Sequence, residues 1–137
     1  MRTILLASLF MLAFLLAGTS AQAEKVLYCQ SELATGIGNR DGTWETGSFT
    51  LERWTLKFTE DYTTLKGLPG FDDLICVPQF PNAYPHVIIC RQDAVDPSTF
   101  SFNTNSMRFV YANLSMMAFL MNRTDTNEIY AGTCVEF

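Results

Sequence analysis

Apolar and polar residues alternate with a period of two along several short stretches of this chain, the signature of half-buried strands. The clearest is Thr50 to Phe58, where Trp54, Leu56 and Phe58 fall on one side and Arg53, Thr55 and Lys57 on the other. That pattern predicts a strand of an antiparallel sheet with one face in water. Phe100 and Phe102 alternate with serine, Asn103-Thr104-Asn105-Ser106 reads as a turn, and Met107, Phe109 and Tyr111 resume the alternation. A hairpin follows from this, and the apolar segments Met116 to Met121 and Ile129 to Val135 extend it into a meander. Lys25 to Gln30 opens the domain with Val26 and Tyr28 on one face and Leu27 and Cys29 on the other. Both faces are apolar, which predicts a strand that is central or covered on both sides. Leu74 to Val77 and Val87 to Ile89 complete the set of buried strands.

Breakers separate these segments. From Ser31 to Gly47 the glycines and polar residues predict a long loop or loose hairpin, with Trp44 either a lid over one end of the core or an exposed recognition residue. Thr59-Glu60-Asp61 is a turn and Tyr62 to Leu65 a further short strand. Gly67-Leu68-Pro69-Gly70 then forms a loop with Asp72 and Asp73 at its far end. Pro78 to Pro85 carries three prolines and two aromatics, which predicts an irregular or polyproline-like loop, because proline cannot donate to a sheet ladder. Arg91 to Ser98, with Asp93 and Asp96, is a polar connection. The chain as a whole reads as one all-β domain, a small antiparallel barrel or strongly curved sheet of about seven or eight strands.

The start of the chain changes the picture of where it works. Arg2 precedes an apolar run from Ile4 to Ala17, and Ala21-Gln22-Ala23 supplies small residues for a peptidase. This predicts a signal peptide over 1–23 and a single domain over 24–137, periplasmic or secreted. The run is shorter than the roughly 20 residues that span a bilayer, so no membrane insertion is expected after cleavage. Losing Arg2 leaves 8 basic against 14 acidic residues, a charge of −6. That balance argues against nucleic acid as a partner and is compatible with a basic protein.

Cys29, Cys76, Cys90 and Cys134 all lie in the exported part, and an even count there predicts two disulfides with three possible connectivities. The preferred pairing is Cys29 with Cys134, joining the opening and closing strands, and Cys76 with Cys90, across one hairpin. No Cys-x-x-Cys spacing exists and there is one histidine, so neither a zinc site nor another cofactor is expected. That histidine, His86, lies at the edge of an apolar strand, where a structural role is commoner than catalysis. A nucleophile elbow is missing, and cysteines in disulfides cannot attack. The 14 carboxylates offer pairs for glycoside cleavage, Asp72-Asp73 foremost, but spacing alone assigns none of them. Asn113-Leu114-Ser115 and Asn122-Arg123-Thr124 fit the glycosylation pattern, which matters only in a eukaryotic secretory route.

The aromatic residues divide in two. Trp54, Phe58, Phe100, Phe102, Phe109 and Tyr111 fall on strand alternation and belong to the core. Trp44, Phe71, Phe80 and Tyr84 fall among glycines and prolines, where they either plug a barrel end or form a recognition surface. With Cys76 and Cys90 bridged, Phe80 and Tyr84 would be held outward beside Asp72 and Asp73, an aromatic anchor next to negative charge suited to a basic exported protein.

Val26-Leu27-Tyr28-Cys29, the Phe-x-Phe of Phe100 to Phe102, and Ala131-Gly132-Thr133-Cys134-Val135-Glu136-Phe137 resemble small exported proteins of proteobacteria. That resemblance implies an exported, disulfide-tied β domain. A fainter similarity is to the periplasmic inhibitors of C-type lysozyme, which implies a small barrel that inhibits by binding. Where those inhibitors carry a Ser-Gly-x-x-Tyr loop, this chain has Ala34-Thr35-Gly36-Ile37-Gly38. The expectation is a monomeric, non-enzymatic binding or inhibitory module, with a small apolar ligand carrier as the alternative and a small hydrolase behind both.

Overall fold

The computed structural model describes residues 23–40, 43–92, 97–114 and 126–137. The expected signal peptide before Ala23, the expected apolar segment Met116 to Met121, Asp93, Asp96 and Asn122 lie outside the described residues. The described residues form nine strands: β1 (Glu24–Arg40), β2 (Thr43–Ser48), β3 (Arg53–Thr59), β4 (Thr64–Lys66), β5 (Leu74–Phe80), β6 (Tyr84–Arg91), β7 (Thr99–Asn103), β8 (Arg108–Asn113) and β9 (Thr126–Glu136). Among the described residues there is no helix. The strands pair antiparallel in the order β2-β1-β3-β4-β5-β6-β7-β8-β9, and β1 also pairs with β9. Eight strands therefore close into a barrel, and β2 is an extra strand laid on the outer part of β1.

The alternation read from the sequence is what closes it. Trp54, Leu56 and Phe58 point inward from β3, Phe100 and Phe102 from β7, and Phe109 and Tyr111 from β8. An eight-stranded barrel has an interior just wide enough for side chains to fill. Here they fill it: Phe100 stacks on Phe109 with ring centroids 5.5 Å apart, and Phe58 on Phe102 at 5.5 Å. Each such buried apolar side chain stabilises the fold by roughly 1.5–3 kcal/mol. Tyr62 and Phe71 lie against this core from the loops, Phe71 edge-on to Tyr111, so Phe71 plugs the barrel.

Strand β1 is far longer than its sequence predicts. Instead of a long loop from Ser31, the chain continues as strand to Arg40 and β2 pairs antiparallel with that stretch, so the hairpin reading holds and the loop reading fails. The transition is a bulge: Ser31 opposes Gly132 and Leu33 opposes Ala131, leaving Glu32 extra. One extra residue reverses the phase, so Leu27, Cys29 and Ser31 face inward before it and Ala34 after it. Ser31 is fully buried, and its Oγ accepts from Glu52 N at 2.6 Å, tying the bulge to the start of β3. A Cβ at Gly132 would overlap the Gln30 carbonyl, so only glycine lets the two backbones approach here. β1 is central, bonded to β3 along one edge and to β9 along the other, but its outer face is open to water, with Tyr28 45 % exposed, so it is not covered on both sides. The barrel wall has only one buried face, and apolar residues also stand on its outer side, Tyr28 opposite Val135 and edge-on to Phe137 at 5.8 Å.

Both disulfides have the preferred connectivity. Cys29 lies directly opposite Cys134, and Cys76 directly opposite Cys90, with 3.9 Å between Cα atoms in each pair. All four point into the core. Structural disulfides persist in oxidising compartments, so the folded chain belongs outside the reducing cytosol.

Candidate functional site

Neighbouring strands alternate in direction, so the register assigns each turn to one end of the barrel. β1 runs from Glu24, opposite Thr59, to the bulge, and continues past that end as an arm with β2 and β9. β5 starts beside Leu65 and runs the other way, so the β5–β6 turn lies at the opposite end. Pro78 to Pro85 is not an irregular loop: Leu74–Phe80 and Tyr84–Arg91 are strands, and only residues 81–83 form the turn. The ladder shifts between Pro78 and Phe80, and Ala83 N donates to Phe80 O at 3.2 Å.

Proline is tolerated here for a geometric reason. Cys76 N donates outward to Thr63 O, and N–H groups two residues apart point to the same edge. Position 78 would be the next donor toward that edge, where β4 has already ended. A proline there removes a hydrogen-bond donor that has no partner, and blunts an open edge. Beyond it Phe80 and Tyr84 stand opposite each other, 49 % and 56 % exposed, with ring centroids 6.2 Å apart. Tyr84 also meets His86 edge-on at 6.1 Å, so this histidine belongs to the aromatic cluster. The pair projects from the barrel on a short hairpin with Cys76–Cys90 at its root.

The structure does not bring the other expected residues to this hairpin. Asp72 and Asp73 precede β5, and seven residues of strand, about 23 Å, separate Asp73 from Phe80. They are at the opposite end, where Asp73 pairs with Lys66 at 3.4 Å. The expected aromatic anchor beside acids is therefore not formed. Trp44 lies on β2 opposite Asn39 and is 48 % exposed, so it is no lid on the core. Asn113 ends β8 half-buried and paired with Glu128 in the ladder. Among the described residues no three His, Cys, Asp or Glu side chains converge as a metal site requires.

A second surface, at the arm end, was missed. Glu52, Asn113 and Glu128 each lie two positions from a core residue at strand spacing, Glu52 and Glu128 before Trp54 and Tyr130 and Asn113 after Tyr111. Together with Pro69 they line a cleft of about 220 Å³ in the barrel mouth. Tyr130 Oη donates to Glu128 Oε2 at 2.7 Å. Burial pushes the Tyr130 phenol up to about 12, helped by that hydrogen bond and by the charges of Glu128 and Glu52. The signal was present in the sequence as inward lines continuing past the core, but 76 positions separate Glu52 from Glu128 and only barrel closure unites them. Compared with protein-family models, curated proteins and solved structures, the chain gives no match.

Proposed function

We propose that this protein is a non-enzymatic binding or inhibitory module, exported to the periplasm or secreted, that engages a basic exported protein through the β5–β6 hairpin. The observation that carries this reading is the pair Phe80 and Tyr84, half exposed at the tip of an arm braced by Cys76–Cys90. Large rings on a preorganised support lose little entropy on binding and are the residue types that anchor interfaces. The mature charge of −6 favours encounter with a basic surface, acting at long range now that Asp72 and Asp73 lie at the other end. The aromatic packing inside the barrel speaks against a carrier, which needs that volume for its ligand.

The test is Phe80→Ala/Tyr84→Ala. Because neither ring belongs to the core, the melting temperature stays within a degree or so of the parent while a basic protein captured from periplasmic or secreted extract is lost. A melting temperature several degrees lower with the same captured proteins would make the hairpin a mere cap and end this reading.

A further inference from the structure

Three inward lines of the barrel run past the core into the mouth. On β3 the line passes Phe58, Leu56 and Trp54 and reaches Glu52; on β8 Phe109 and Tyr111 lead to Asn113; on β9 Cys134, Gly132 and Tyr130 lead to Glu128 and Thr126. The last apolar layer is an aromatic floor, with Trp54 edge-on to Tyr111 and Tyr130 at 5.7 and 5.5 Å and the two tyrosines stacked at 6.0 Å. One layer further out stands a rim of two carboxylates and an amide.

Glu128 is positioned before any ligand arrives. Tyr130 Oη holds one carboxylate oxygen and Thr126 Oγ1 the other, at 2.7 and 3.1 Å. A carboxylate has about four acceptor sites, so roughly two remain for a ligand. The ion pairs formed among the described residues, Lys57 with Glu24 and Lys66 with Asp73, involve neither Glu52 nor Glu128. Two carboxylates without such a pair, set over aromatic rings, complement a positive group that is also partly apolar. Charge-assisted hydrogen bonds would hold its N–H groups and the ring quadrupoles its charge. A bare metal ion would find carbon on half of its coordination sphere, and an anion would be repelled. At about 30 Å³ per water, the 220 Å³ cleft has room for roughly seven waters, or for a guanidinium or ammonium head with its last methylenes.

We propose that the barrel mouth is a binding site for an organic monocation, a guanidinium or alkylammonium group, seated between Glu52 and Glu128 over the Trp54, Tyr111 and Tyr130 floor. The cation is either a free solute or the side chain of an arginine or lysine. The site lies at the opposite end from the Phe80 hairpin and stands without it.

The experiment follows the Trp54 indole N–H by NMR in a Trp44→Phe background, titrated with n-butylguanidinium chloride, n-butylammonium chloride and the neutral isostere n-butylurea. A saturable shift is expected with the cations and none with the urea. Glu128→Gln and Glu52→Gln each weaken binding about tenfold through loss of a charge-assisted hydrogen bond, while keeping the parent melting temperature. Asp72→Asn, an acid at the same end outside the cleft, leaves the affinity unchanged, as does Phe80→Ala/Tyr84→Ala. Acetyl-Gly-Arg-Gly-amide separates the sources: binding as tight as the free guanidinium assigns a side chain, and exclusion of the peptide assigns a free solute. No saturable shift, an equal response to n-butylurea, or equal weakening by Asp72→Asn would overturn the proposal.

Discussion

Two strand extensions overrun the barrel, one at each end, and each leaves it just past a disulfide. Cys29–Cys134 lies at the root of the β1–β2–β9 arm, and Cys76–Cys90 at the root of the β5–β6 hairpin. Both bridges join directly opposed residues that face the core. They differ in sequence separation, 105 against 14. The first crosses the seam between the opening and closing strands, so it constrains the topology of the whole chain. The second crosses a hairpin that local sequence would form without it, and its effect is to stiffen an arm carrying two exposed rings. The arms differ in the same sense. One is three strands wide, with glycines where backbones crowd; the other is two strands with Pro78 on its open edge. A cross-strand disulfide of one geometry can thus hold a fold closed or hold a surface still, depending on how much chain lies between its ends.

Removing the seam is the largest expected effect. Cys29→Ser/Cys134→Ser closes no loop of about 100 residues in the unfolded chain and should lower stability by roughly 4.7 kcal/mol on the chain-entropy model, read by urea unfolding. Cys76→Ser/Cys90→Ser releases a loop of about 15 residues and should cost about 3 kcal/mol. Its hydrogen exchange should quicken in β5 and β6 while β1 and β9 stay protected. If the hairpin pair cost more than the seam pair, the comparison would be broken.

Smaller substitutions sharpen it. Ser31→Ala strands the Glu52 N–H at the root of the first arm, and about 2 kcal/mol should be lost in the same unfolding measurement. Pro78→Ala should shift stability by no more than about 0.5 kcal/mol, yet it restores a donor on an open edge. Concentration-dependent association in sedimentation velocity is the expected sign of that donor; a strictly monomeric variant would show that the proline does not guard the edge. The mouth has a pH signature as well. The Tyr130 phenol is raised from its ordinary 10 to about 12 in the fold, so the folded state binds more protons over that interval. Its contribution is complete below pH 10 and lost as pH rises toward 12. Tyr130→Phe should flatten the alkaline fall of the melting temperature relative to the parent.

The sequence by itself determined which residues turn inward wherever apolar and polar positions alternate, as at Trp54, Leu56 and Phe58. A strand's period of two is a local property, and an antiparallel barrel needs little more than several such stretches with turns between them. Cysteine number and position likewise anticipated both disulfides. What only the tertiary structure decided were features set by a distant partner. Gly36 and Gly38 carry no pattern of their own and became strand because β9 lies alongside. Pro78 entered a strand because the edge of β5 beyond β4 asks for no donor. Asp72 and Asp73 were parted from Phe80 by the direction of β5, and Glu52 met Glu128 only across the closed seam. Hydrogen-bond partners, strand direction and closure belong to the assembled sheet, and no window of the chain contains both halves of them.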